Sequence, residues 1–237
     1  QMARKIQLNS AYGAIGNQYF RYYNLANAEA ITLSGQVSIR WIEEKVNKYL
    51  NNVLKTDGED YVIASDTDSI YIHLGPLVQA VFPSGEKDDQ STLSFLKKVC
   101  DVELDRYIAS SYEEMATYVN AYEQKMVMKR ENIANKGIWT AKKRYILNVW
   151  NSEGVQYEKP KLKMMGIEAV KSSTPAPCRV AIKDTLDLVM TGTEDQVQSY
   201  VSKFRKEFET LPLEDIAFPR SCNNIQKFSS SKDIYGK

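Results

Sequence analysis

At 237 residues the chain is long enough to bury a core in one or two domains, and its 43% hydrophobic content is ordinary for a folded chain. Lys and Arg (31) nearly cancel Asp and Glu (30), so the net charge announces no strongly basic nucleic-acid binder; no run is long or apolar enough to span a bilayer. Cys100, Cys178 and Cys222 are scattered, which argues against a disulfide framework or a zinc site and for a reducing compartment. The single histidine, His73, excludes His-rich metal sites and is read as structural.

Residues 1 to about 14 read as the end of a helix, with Lys5, Asn9 and Tyr12 at i, i+4 and i+7 on one face. Residues 17 to 25, with Tyr19, Phe20, Tyr22 and Tyr23, form an aromatic connection. An amphipathic helix is predicted from about 26 to 52, with Ile31, Ser34, Gly35, Ser38, Ile42, Val46, Tyr49, Leu50 and Val53 near one core-facing stripe. Lys55-Thr56-Asp57-Gly58 signals a turn. Two short β-branched runs, 61–65 and 70–74, then flank Asp66-Thr67-Asp68-Ser69 as a β-hairpin. Pro76, Pro83 and Gly85 mark a loop.

Helical spacing resumes from about 91 to 121, through Leu93, Leu96, Val99, Val102, Tyr107, Met115 and Tyr118. Residues 125 to 133 alternate as a strand; 139 to 150 contain a second and 157 to 165 a third, with Lys142-Lys143-Arg144-Tyr145 opening the second. Helices are predicted from Pro175 to about 190 and from about 194 to 211, before a Ser-, Asn- and Lys-rich tail. The order predicts an α+β fold in which helices cover one face of an antiparallel sheet.

Two stretches carry chemistry. The tight turn around Asp66 and Asp68 holds two carboxylates close together; such anions repel unless a proton or a cation joins them, and hard oxygen donors suit Mg²⁺. Read alone, the tetrapeptide serves equally as a solvated Asp-rich turn. The Lys5/Asn9/Tyr12 stripe offers an ammonium for a polyphosphate, an amide beside it and a flat ring for a base pair; Gly13 and Gly16 follow, where a backbone can approach a ligand. Lysine also crowds 136–144 and 159–171, a local strip able to meet phosphates despite the balanced total. A charged edge strand gives the same run.

Lys5 through Gly13 resembles the B motif of family B DNA polymerases, Lys-x-x-x-Asn-Ser-x-Tyr-Gly. Asp66-Thr67-Asp68-Ser69 resembles their C motif, and Lys142-Lys143-Arg144-Tyr145 their Lys-x-Tyr element. Flanking runs (Arg21-Tyr22-Tyr23, Met165-Gly166-Ile167-Glu168, Ser172-Ser173-Thr174-Pro175) are most similar to the replicative polymerases of large tailed phages. The resemblance implies the end of a fingers helix over 1–16, a palm over 17–170 and the start of a helical thumb over 171–237. It implies template-directed transfer of a nucleotide from a dNTP to a primer 3′-hydroxyl with two Mg²⁺ ions. Asp68 is then the direct metal ligand and Asp66 a weaker one. Lys5 meets the β/γ-phosphates, with Asn9 one turn along and Tyr12 against the nascent base pair. Lys143, supported by Tyr145 and Lys142, contacts the primer terminus, and Lys136 and the later lysines hold duplex phosphates.

The family's A motif, with the other catalytic aspartate, and its exonuclease motif lie N-terminal to the B motif. The resemblance therefore implies a C-terminal polymerase part, inactive alone and completed by an N-terminal part. It further implies primer-template DNA as partner, the cytoplasm of an infected bacterial host, and a sliding clamp met through a C-terminal segment not present. Two rivals are a non-catalytic duplex-binding module, or subunit of a split replicase, and a nucleotidyl cyclase-like enzyme. The latter leaves Lys5/Asn9/Tyr12 unexplained.

Overall fold

The computed structural model describes residues 2–83, 89–221, 223–224 and 226. It is a mixed α+β structure that divides into two units, Gln1–Glu131 and Asn132–Lys237. Where the sequence predicts one antiparallel sheet, the described residues form two, one of two strands and one of three.

The first unit is built on one long helix. Helix α1 spans Met2–Ile15 and α2 spans Leu25–Leu54, a rod of about 45 Å. Asn24 caps α2, its side chain accepting from the Asn27 amide at 3.0 Å. At the other end Lys55 takes a left-handed conformation (φ 56°) and its amide bonds the Asn51 carbonyl. Ser38, Ile42, Val46 and Leu50 recur every four residues and are buried. Burial of each of the three apolar members contributes about 1.5–3 kcal/mol. The predicted stripe is too wide: Ile31 and Val53 are half exposed, because the covering elements meet only the narrow 38–50 line.

Those covering elements are strands β1 (Val62–Asp66) and β2 (Ser69–Ile72) and helix α5 (Asp105–Tyr118). Tyr61, Val62, Ile108, Tyr112 and Met115 complete the core. Trp41 donates its indole N–H to the Ser111 carbonyl at 2.9 Å, and the Tyr49 and Tyr107 rings lie 4.5 Å apart. Pro76, predicted to mark a loop, instead sits in the first turn of helix α3 (Gly75–Val81), where its missing N–H is not needed; Gly85 lies outside the described residues. His73 follows β2 rather than lying in it; its amide extends the ladder to the Tyr61 carbonyl at 2.7 Å and the residue is exposed.

The predicted helix over 91–121 is α4 (Asp89–Lys98), a π-helical segment (Val99–Leu104) and α5 in succession. The Asp105 amide reaches back to the Cys100 carbonyl, five residues away. In such wide turns residues spaced by threes leave a common face. Thus Val102, assigned to the stripe, is half exposed, while Leu104, Ile108 and Tyr112 are buried. Burial pushes the Cys100 thiol up to about 11, so it stays protonated at neutral pH. Cys178 is likewise a free thiol, and Cys222 lies outside the described residues.

Residues 125–131, predicted as a strand, lack strand pairing. Alternation alone cannot supply a partner strand; an ion pair holds this stretch instead, Arg130 Nε meeting Asp101 Oδ1 at 2.8 Å.

In the second unit β3 (Asn132–Ala141), β4 (Arg144–Ser152) and β5 (Val155–Met165) form an antiparallel sheet in sequence order. Central strand β4 is buried from Tyr145 to Val149. Ile146, Ile138, Leu162 and Met164 pack with Met190, Ile182 and Leu186 of helix α6 (Ala176–Thr191). Helix α7 (Glu194–Phe208) follows through a Thr193/Gln196 capping box, and Tyr200 donates to Asp184 of α6 at 2.8 Å. Helix α8 (Leu213–Ile216) is a single turn. No helix among the described residues is long and apolar enough to cross a membrane.

The Asp101–Arg130 pair yields a pH prediction. Its hydrogen bond to Arg130 holds the Asp101 carboxyl below the ordinary 3.8. A depressed folded value means stabilisation that is present above 3.8 and lost as pH falls through the folded value. Asp101 is partly exposed, so Asp101→Asn is expected to cost about 1 kcal/mol or less at pH 7. Urea midpoints should show that difference shrinking as the pH falls below 3.8; an undiminished difference contradicts the pairing.

Candidate functional site

The acidic hairpin is rooted by two amides of α2. Asn47 Oδ1 accepts from the backbone N–H groups of Tyr61 (2.9 Å) and Val62 (3.0 Å). One helical turn on, Asn51 Nδ2 donates to the Glu59 carbonyl at 2.7 Å, and its Oδ1 accepts the Glu59 amide at 3.0 Å. The Tyr61 hydroxyl shares a 2.8 Å bond with Thr56 Oγ1. From that root β1 and β2 pair in the register Asp66↔Ser69, Ser65↔Ile70, Ala64↔Tyr71, with an irregularity between Val62 and Ala64. The turn is therefore Thr67-Asp68, and Asp66 and Ser69 end the two strands.

Thr67 carries φ 57°, a left-handed conformation that a β-branched residue seldom adopts. The Asp68 amide donates to the Asp66 carbonyl at 2.7 Å across it, the i→i+2 bond of a γ-turn. Thr67 Oγ1 donates to Asp66 Oδ1 at 3.1 Å and Ser69 Oγ to Asp68 Oδ1 at 3.4 Å. Among the described residues, no Lys, Arg or His pairs with either carboxylate. The turn thus holds two acidic groups a residue apart, each met by one neighbouring hydroxyl. No three His, Cys, Asp or Glu side chains gather into a metal-holding group among the described residues.

Helix α1 carries the polar stripe. Lys5 lies in α1, and its side chain falls outside the described residues. Asn9 and Tyr12 are exposed. The Tyr12 hydroxyl lies 2.9 Å from Thr32 Oγ1. Because Thr32 Oγ1 donates to the Ala28 carbonyl at 3.0 Å, the Tyr12 hydroxyl must be the donor. The tyrosine is thus tied to α2 by its tip, while the residue keeps 46% of its surface exposed. Helix α2 carries both predicted features: Thr32 receives α1, and Asn47, fifteen residues on and about 22 Å along the axis, receives the hairpin.

The third predicted element belongs to the second unit. Lys142 and Lys143 do not open a strand; they are the two-residue turn between β3 and β4, flanked by the pair Ala141↔Arg144. Both are exposed, and Lys143 adopts φ 61°. Tyr145 is buried in β4, its ring 6.5 Å from Trp139. Lys136 donates its ammonium to the Met190 carbonyl near the end of α6, a cation satisfying a helix C-terminus. Along β5, Lys159, Lys161 and Lys163 alternate with Leu162 and Met164, which pack against α6. The three lysines therefore share the opposite face. Lys161 Nζ lies 4.2 Å above the Tyr157 ring.

The sequence reading missed Asn47, Asn51, Thr32 and Gly166. Two asparagines one helical turn apart before a turn signal could have announced the amide clamp. The tie between α1 and α2 can be tested: Tyr12→Phe is expected to cost about 1 kcal/mol and to speed hydrogen exchange across α1. Unchanged exchange there contradicts the tie.

A family profile described as DNA polymerase family B matches residues 1–106. The chain is 44% identical to a DNA-directed DNA polymerase of Escherichia phage RB69 and 39% identical to one of Enterobacteria phage T4, each alignment covering 96% of this chain and 26% of the relative. Residues 1–106 are thus similar to family B DNA polymerases, and the chain spans about a quarter of the length of the relatives it matches.

Proposed function

We propose that this chain carries part of the catalytic centre of a template-directed DNA polymerase: its acidic hairpin, its triphosphate-facing helix and its primer-gripping turn. The observation that supports this best is the pair of carboxylates at Asp66 and Asp68, held on one strained turn with no neutralising side chain among the described residues. Such a pair attracts a cation, and an all-oxygen donor set fits Mg²⁺. Asp68 is the direct ligand and Asp66 the supporting one. When bound, the two ions lower the pKa of the primer 3′-hydroxyl and neutralise charge on the triphosphate.

The chain's own residues bind and orient. Lys5 is proposed to meet the β/γ-phosphates and to give a proton to the departing pyrophosphate. Asn9 lies one turn along the same face. The exposed part of the Tyr12 ring meets the nascent base pair, and its tethered hydroxyl keeps the ring from swinging away. Lys143, flanked by Lys142 and backed by buried Tyr145, touches the primer terminus. Lys159, Lys161 and Lys163 hold duplex phosphates without reading sequence. Lys136, committed to the Met190 carbonyl, serves the fold of this surface and is the weakest of the proposed duplex contacts.

Two carboxylates do not complete a two-metal site. A further aspartate is proposed to come from polypeptide matching the remaining three quarters of the relatives. Its docking must hold the reacting groups to within about 0.5 Å. Within this chain the proposed assignment is the end of a fingers helix over 1–16, a palm over 17–170 and the start of a thumb over 171–237.

Primer extension with Mg²⁺ and dNTPs tests the reading. The purified chain alone is expected to give no extension, and a mixture with the complementary polypeptide to restore it. Asp68→Ala should lower restored synthesis by about a thousandfold or more with duplex affinity nearly intact. Robust extension by the chain alone overturns the missing-carboxylate reading, and equal synthesis by mutant and parent leaves a non-catalytic duplex-binding module.

A further inference from the structure

The Lys142–Lys143 turn is held in an unfavourable shape from several sides, and the tightest contact comes from a residue with no side chain. Lys143 has φ 61°, in the second turn position, where glycine is favoured. Gly166, one residue beyond β5, has φ 65°. A Cβ built on Gly166 would stand 2.3 Å from the Lys143 carbonyl oxygen and 3.1 Å from Arg144 Cγ. The first of these is backbone, so the clash could be relieved only by moving the turn or the end of β5. Around this seat, Glu168 takes both Arg144 and Lys171 in ion pairs. Thr140 Oγ1 donates to the Arg144 carbonyl at 3.3 Å, and Tyr145↔Met165 closes the β4–β5 ladder beside it.

We propose that Gly166 is a positioning residue for Lys143: it lets β5 approach the turn closely enough to hold that strained backbone, and Glu168 anchors the turn's far side through Arg144. The Lys143 side chain is thereby presented to the primer in one direction. A glycine at 143 would be the easier turn residue but would have no cation to present; the strain is consistent with a site where the side chain is needed. The proposal rests on the reading of Lys143 as a primer contact.

The test is duplex affinity of the whole chain, by fluorescence anisotropy with a labelled primer-template across a salt series. Lys143→Ala is expected to weaken binding about fivefold and to reduce the salt slope by about one. Gly166→Ala should do the same, and the double variant should be no weaker than Lys143→Ala alone. A purely structural role for Gly166 would leave the slope unmoved and add its loss to that of Lys143→Ala, and either result overturns the proposal. Parental affinity in Lys143→Ala removes the primer-contact reading itself and this proposal with it. Should Gly166→Ala fail to fold, Glu168→Gln frees Arg144 without adding a Cβ. A loss of about twofold that disappears in the Lys143→Ala background supports the seat, and unchanged affinity overturns it.

Discussion

The first unit depends on the grip of two α2 amides on the start of β1. Asn47 takes two successive backbone N–H groups, and Asn51 satisfies both the amide and the carbonyl of Glu59. These bonds replace ladder partners that the first strand of a two-stranded sheet would otherwise lack. A two-stranded hairpin alone is marginal in water. Rooted on α2 and packed through Val62, Ile70 and Ile72 against Ile42, Val46 and Leu50, it becomes a firm bracket. The acidic turn inherits its position from that bracket.

Both turns that carry proposed functional groups break the same local rule. Thr67 lies between the two aspartates at φ 57°, and Lys143 at φ 61°. Glycine would relieve either at less backbone cost. In each case the neighbours over-determine the shape: the γ-turn bond and two hydroxyls at the acidic turn, and Gly166, Glu168 and Thr140 at the basic one. Strain of this kind, of order 1–3 kcal/mol, concentrates where a side chain must be aimed. The same economy explains Lys136, whose cation satisfies a helix end rather than facing solvent unengaged.

Much of this architecture was legible in one dimension. The long helix, the hairpin around Asp66 and Asp68, the third strand of the larger sheet and the two later helices follow from periodicity and turn residues, because those signals are local. The departures share one cause. Pro76 reads as a breaker until it is seen at a helix start. Residues 125–131 alternate, but no strand among the described residues pairs with them. The 99–102 spacing by threes fails because the chain widens into a π-helical segment there. Lys142 and Lys143 became a turn because Ala141 pairs with Arg144 across them.

By itself the sequence determined the chemistry on offer: three ordered motifs, their carboxylates, ammonium groups and aromatic rings, and the family those strings resemble. These are properties of neighbours in the chain, and spacing conveys them. Only tertiary structure decided which groups are held and by what. Tyr12 is tied to Thr32, the hairpin to Asn47 and Asn51, and Lys143 to a glycine 23 residues away. Each of those partners is remote along the chain, and only folding brings it within bonding or van der Waals range.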